Sequence, residues 1–158
     1  MARPACGGGR ERPRPAGDGH EQEGDHMEAS SEHPEVVTGE GYAVAHLEDL
    51  GEGPGFRKVR TNLGVTAFGV NAIVLPPGME SRFHYHDTQE ELYFVHRGEI
   101  EMEFGDGSTA RLREGGLARV DAATRRKLRN VGEVDAVYLC AGGKDGYVGR
   151  DGRAPEDE

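Results

Sequence analysis

His84 and His86 stand one residue apart, and Glu90 and Glu91 follow after the polar stretch Asp87-Thr88-Gln89. Alternate residues of an extended strand project to one face, so both imidazoles can aim at one point. Asp87 to Gln89 reads as a turn. The run from Glu91 to Val95, rich in aromatic and β-branched residues, reads as the returning strand of a hairpin. Such a hairpin can bring a carboxylate beside two imidazoles. Two His and one carboxylate on a rigid support suit a divalent transition metal, with positions left open for water or substrate.

The elements that must hold these groups are short strands. Val65 to Leu75 alternates with apolar residues on both faces, as expected where a sheet is covered on each side. Pro76-Pro77-Gly78 ends it, and further turn signals stand at Arg97-Gly98, Gly105-Asp106-Gly107 and Gly115-Gly116. With first strands near Tyr42 to Leu47 and Phe56 to Arg60, the pattern gives about nine strands at intervals of roughly ten residues. That is an all-β sandwich or barrel, and no segment carries a helical apolar repeat. Residues 1–35 hold Pro, Gly, Arg, Glu and Asp with few apolar side chains, and are expected to form a disordered N-terminal extension. The barrel domain is assigned to residues 36–148, and 149–158, Gly-, Asp- and Arg-rich, to a flexible C-terminal tail.

Gly78, His84, His86, Glu91 and Gly98 match the first signature of the cupin family, G-x5-H-x-H-x4-E-x6-G, at every fixed position. The spacing back from Gly98 selects Glu91 over Glu90. Over roughly Val65 to Gly142 the chain resembles a small single-domain cupin, which implies a double-stranded β-helix, or jelly-roll, barrel. The family's second motif is G-x5-P-x-G-x2-H-x3-N. Gly115 and Asn130 fall on its ends, but Asp121, Ala123 and Arg126 stand where Pro, Gly and the ligand His belong. Arginine has no acceptor lone pair and cannot ligate a metal. The resemblance therefore implies a reduced site of His84, His86 and Glu91, with Arg126 close by, for iron, manganese, nickel or zinc.

Three functions fit these residues. A metal-dependent enzyme, a dioxygenase or an isomerase or epimerase in the manner of the family, would use Arg126 to pair with an acidic substrate. A non-catalytic module would hold a small anionic metabolite. A metal-free scaffold would pair Arg126 with Glu91 in place of the ion. Tyr93 shares the Glu91 face and is either a hydrogen-bond donor to a ligand or a core tyrosine. His96, five residues past Glu91, belongs to the opposite face.

Charge narrows the partners. The net charge is −10, and no basic run in the barrel region is long enough to track phosphates, which argues against nucleic acid and anionic membrane. Cys6 and Cys140 make no disulfide framework. No apolar stretch reaches membrane-spanning length and the first residues lack the apolar run of a signal peptide, so a cytoplasmic location is expected. Apolar residues on both faces of Leu92 to His96 and of Val65 to Leu75 exceed what one interior absorbs, and point to a homodimer.

Overall fold

A computed structural model describes residues 36–156. The disorder expected for residues 1–35 lies outside the described residues. The strands are β1 (Val37–Gly39), β2 (Tyr42–Val44), β3 (Gly55–Arg57), β4 (Gly69–Leu75), β5 (Tyr85–His86), β6 (Glu90–Arg97), β7 (Glu99–Phe104), β8 (Thr109–Arg113), β9 (Leu117–Val120), β10 (Arg126–Asn130), β11 (Ala136–Gly143) and β12 (Gly152–Arg153). A 3-10 turn at Leu47–Leu50 and one short helix, α1 (Val59–Leu63), complete the order.

Two sheets face each other. One has five strands in the order β3-β4-β11-β6-β9, and the other three in the order β10-β7-β8. Isolated bridges from Glu80 to Arg129 and from His84 to Arg126 lay residues 80–84 along β10, and β5 then pairs with β12. The period-two alternation of β6 sends Glu91, Tyr93 and Val95 inward and leaves Leu92, Phe94 and His96 outside. Between the sheets, Ile73, Tyr93, Val95, Ile100, Met102 and Leu128 form the centre of the core.

The apolar surplus on β4 has an explanation within the chain. Ile73 and Leu75 enter the core, whereas Val70 and Ala72 pack with Leu50 and Val59 on the other side. The 3-10 turn and α1 thus cover part of the outer face of the five-stranded sheet. Phe56 to Arg60, expected as one extended segment, divides into β3 and the start of α1, which ends at Gly64 in the left-handed conformation.

Two expectations are corrected. The strands carrying His86 and Glu91 are not paired as a hairpin: β5 pairs with β12, while β6 lies between β9 and β11. The turn is held open because Thr88 and Gln89 donate their backbone N–H groups to the Asp151 carboxylate. The second difference follows from the first. Residues 149–153, assigned from composition to a flexible tail, include strand β12 and the buried Asp151.

Candidate metal centre

The backbones of His84 and Arg126 exchange both hydrogen bonds, at 3.0 and 2.9 Å, and the His86 N–H donates to the Ala122 carbonyl at 2.8 Å. These bonds fix the two imidazoles against the three-stranded sheet. Glu91 and Tyr93 come from β6 in the facing sheet. The groups therefore meet across the sandwich. Gly142, paired with Glu91 on β11, leaves the room that Glu91 needs, because a Cβ there would sit 3.0 Å from Glu91 Cγ.

His86 Nε2 lies 3.3 Å from Glu91 Oε1, and His84 Nε2 lies 4.0 Å from Glu91 Oε2. One ligand atom from each of the three residues falls within 4.8 Å of the others. The rings stand edge to face, with centroids 5.6 Å apart. His84 Nδ1 faces the Arg82 carbonyl at 3.2 Å. A carbonyl only accepts, so Nδ1 carries the proton and Nε2 keeps its lone pair for the site. His86 Nε2 is buried without a hydrogen-bond partner, its approach to Glu91 being close but not aligned as a hydrogen bond. A buried donor set of two imidazole nitrogens and one carboxylate oxygen fits a divalent ion.

The other carboxylate oxygen is engaged. Glu91 Oε2 accepts from Arg126 Nη2 at 2.6 Å and from the Tyr93 hydroxyl at 2.5 Å. Arg126 also donates from Nε to the Tyr93 oxygen at 3.2 Å and from Nη1 to the carbonyls of Thr124 and Ala122 at 2.9 and 3.4 Å. Burial pushes the Glu91 carboxyl up, but His86, Tyr93 and Arg126 outweigh it and hold the group well below the usual carboxylate range. Burial acts in the same upward direction on the Tyr93 hydroxyl and the Cys140 thiol, and both stay protonated. Burial also lowers His84, favouring the neutral ring that coordinates metals.

His84, His86 and Glu91 open into a cavity of about 750 Å³ walled by Phe56, Ile73, Leu128 and Tyr138, with Arg82 and Arg150 also on its lining. Tyr93 lines it as well, but Arg126 does not. Arg126 is fully buried behind Glu91 and Tyr93. Of the two arrangements expected for its guanidinium, pairing with an acidic ligand or with Glu91, the bond to Glu91 is the one formed. His96 is exposed on the outer face, away from the site.

Residues 72–142 match the family model for the cupin domain. These residues form a cupin domain. The cupin sandwich here is similar to a solved protein with a double-stranded β-helix domain from Klebsiella pneumoniae, at 20% identity over 57% of this chain and 76% of that one, TM-score 0.52. It is also similar to a sugar phosphate isomerase of the cupin superfamily from Silicibacter pomeroyi, at 28% identity over 51% of this chain and 53% of that one, TM-score 0.47. The aligned part spans about half the isomerase's length. No curated protein matches the chain in sequence. No helix among the described residues is long and apolar enough to cross a membrane.

Sequence reasoning overlooked Gln89, Gly142 and Asp151 at this cupin site. Gln89 lies inside the turn of the first motif and could have been suspected there. Asp151 lies 60 residues past Glu91 in a Gly-, Asp- and Arg-rich stretch and gives no periodic signal.

Proposed function

We propose that this cupin binds a divalent metal, with iron, manganese, nickel and zinc as candidates, through His84, His86 and Glu91, together with a small acid that has an apolar body. The observation that carries the reading is the convergence of three ligand atoms within 4.8 Å at the wall of a cavity. One Glu91 oxygen is committed to Arg126 and Tyr93, and Oε1 remains toward the imidazoles. Arg126 in this reading holds Glu91 and does not touch the ligand.

The ligand's character follows from charge and shape. Neutral imidazoles leave a divalent ion's charge uncompensated, and the Glu91 charge is already matched by Arg126. An anion relieves the excess. Arg82 and Arg150 on the lining favour a carboxylate or phosphate, and Phe56, Ile73 and Leu128 favour an apolar remainder. A bound metal would supply Lewis acidity toward an oxygen of such a ligand. The reading includes a homodimer through the uncovered outer face of the five-stranded sheet, where Leu92, Phe94 and Leu117 are exposed.

Titration of metal-stripped protein with iron(II), manganese, nickel and zinc tests the centre. Saturable binding of one ion per chain is expected, abolished in His86→Ala. A second reading rests on the 2.6 Å Arg126–Glu91 bond, by which a cation already occupies the carboxylate and the barrel is a metal-free module. Absence of binding for all four ions in the wild type would establish that reading instead.

A further inference from the structure

Asn71 shares the inward face of β4 with Ile73 and Leu75, and Tyr138 stands on the inward face of β11. The register sets Asn71 opposite Cys140 and Tyr138 opposite Ile73, so Asn71 and Tyr138 are diagonal neighbours on adjacent strands. Such neighbours lie roughly 7–8 Å apart in a sheet, and their side chains can meet one small group between them. Both residues line the cavity that holds His84, His86 and Glu91.

Neither side chain is used by the fold. Tyr138 is 4% exposed, and its hydroxyl makes no hydrogen bond among the described residues. The oxygen is nonetheless not sealed in protein, which leaves the cavity as the space it faces. The half-buried Asn71 amide likewise bonds none of the described residues. Their counterparts in the same sandwich differ. The Tyr93 hydroxyl, on a ring with its centroid 6.2 Å from that of Tyr138, is committed to Glu91 and Arg126. The Asn130 side chain bonds Leu75, Gly132 and Val134.

Strands disfavour asparagine, and an apolar residue would wall the cavity equally well. An amide and a hydroxyl left unbonded in that wall take their partners from what the cavity contains. Burial pushes the Tyr138 hydroxyl up, so it stays protonated and able to donate. The amide both donates and accepts. Neither group is charged. They match an uncharged oxygen rather than an acid group, for which Arg82 and Arg150 stand on the same lining.

We propose that Asn71 and Tyr138 form a polar subsite for an uncharged oxygen, hydroxyl or ketone, on the body of the ligand, which makes the ligand a hydroxy or oxo acid. The acid group rests on the proposed function of the cavity, whereas the oxygen subsite stands on its own two residues.

The test uses full-length protein as purified and two matched sets of probes. One set is hexanoate with its hydroxy and oxo derivatives at successive carbons. The other carries no acid: methylcyclohexane, cyclohexanol and cyclohexanone. Ligand-observed NMR titrations give affinities for wild type, Tyr138→Phe and Asn71→Leu. In wild type the best oxygenated member of each set should bind about tenfold more tightly than its parent. Each variant should lose about 2- to 10-fold of that preference, with the parent compounds bound within twofold of wild type. Tyr138→Phe removes an oxygen that the fold does not use, so its urea midpoint should match that of wild type. A clear loss of stability there would reveal a partner within the fold and overturn the subsite. Binding of neither set, or a preference for oxygen untouched by both variants, would overturn it as well. Selective binding of the neutral set alone, lost in Tyr138→Phe, would keep the subsite and sink the acid reading.

Discussion

Arg126 and Glu91, 35 residues apart in sequence, are joined by a 2.6 Å bond between facing sheets, with the Tyr93 hydroxyl on the same carboxylate oxygen. The guanidinium stands where the cupin family's second motif has a histidine. It meets the Glu91 carboxylate directly, and its remaining donors go to Tyr93 and to the carbonyls of Thr124 and Ala122.

Removing one member of this pair should be costly. Arg126→Ala leaves Glu91 buried without its cation and is expected to destabilise the metal-free protein by about 3–5 kcal/mol. The double variant Arg126→Met, Glu91→Leu replaces the pair by apolar volume and should recover most of that loss. Urea unfolding of the three proteins measures both effects. Equal stability of Arg126→Ala and wild type would mean that the bond contributes nothing.

Arg126→His has the opposite effect on the centre. It withdraws a fixed positive charge from beside the ion and adds an imidazole. Affinity for zinc or nickel should rise by about tenfold or more relative to wild type, as read by calorimetry. A fall in affinity would show that Glu91 depends on the arginine for its placement more than the ion suffers from the charge.

The two glycines of the first motif carry different burdens. Gly78 and Gly98 both adopt positive φ, 75° and 78°. A Cβ at Gly78 meets nothing within 4 Å, whereas one at Gly98 would lie 2.9 Å from the Ala136 Cα. Gly78→Ala should cost about 1–2 kcal/mol from backbone strain alone, and Gly98→Ala distinctly more. Matching losses in thermal unfolding would remove the steric contribution.

The exposed outer strip makes a prediction about assembly. Leu92, Phe94 and Leu117 lie together on β6 and β9, with Phe94 directly opposite Leu117. Leu92→Glu with Phe94→Glu should turn a dimer into a monomer in light scattering, without lowering metal affinity. A monomeric wild type at micromolar concentration would end the dimer proposal.

The sequence disclosed the sheet and half of the site because both follow local rules. Period-two alternation in Glu90–Arg97 settled that Glu91 and Tyr93 point inward with His96 outward. The second motif sorts in the same way. Its retained ends are scaffold: Gly115 takes φ of 82°, and Asn130 bonds the carbonyls of Leu75 and Val134, each at 2.7 Å. The pairing of β5 with β12 is not legible in the sequence, because a short strand after a polar turn carries no mark of its partner. Asp151 was illegible for the same reason, since its bonds to Thr88 and Gln89 join distant parts of the chain. Arg126 was placed near the site by spacing, but its burial behind Tyr93 depended on packing that no motif encodes.

The return of β12 has a consequence for biosynthesis. β11, which pairs with both β4 and β6, is complete at Gly143, so the principal sheet can close before the next residues leave the ribosome. The acceptor for Thr88 follows 63 residues behind it. The ring of His86 therefore acquires its seat after its scaffold has formed. A nascent chain halted at Gly143 would carry both imidazoles and the glutamate without the Asp151 carboxylate that holds the turn between them.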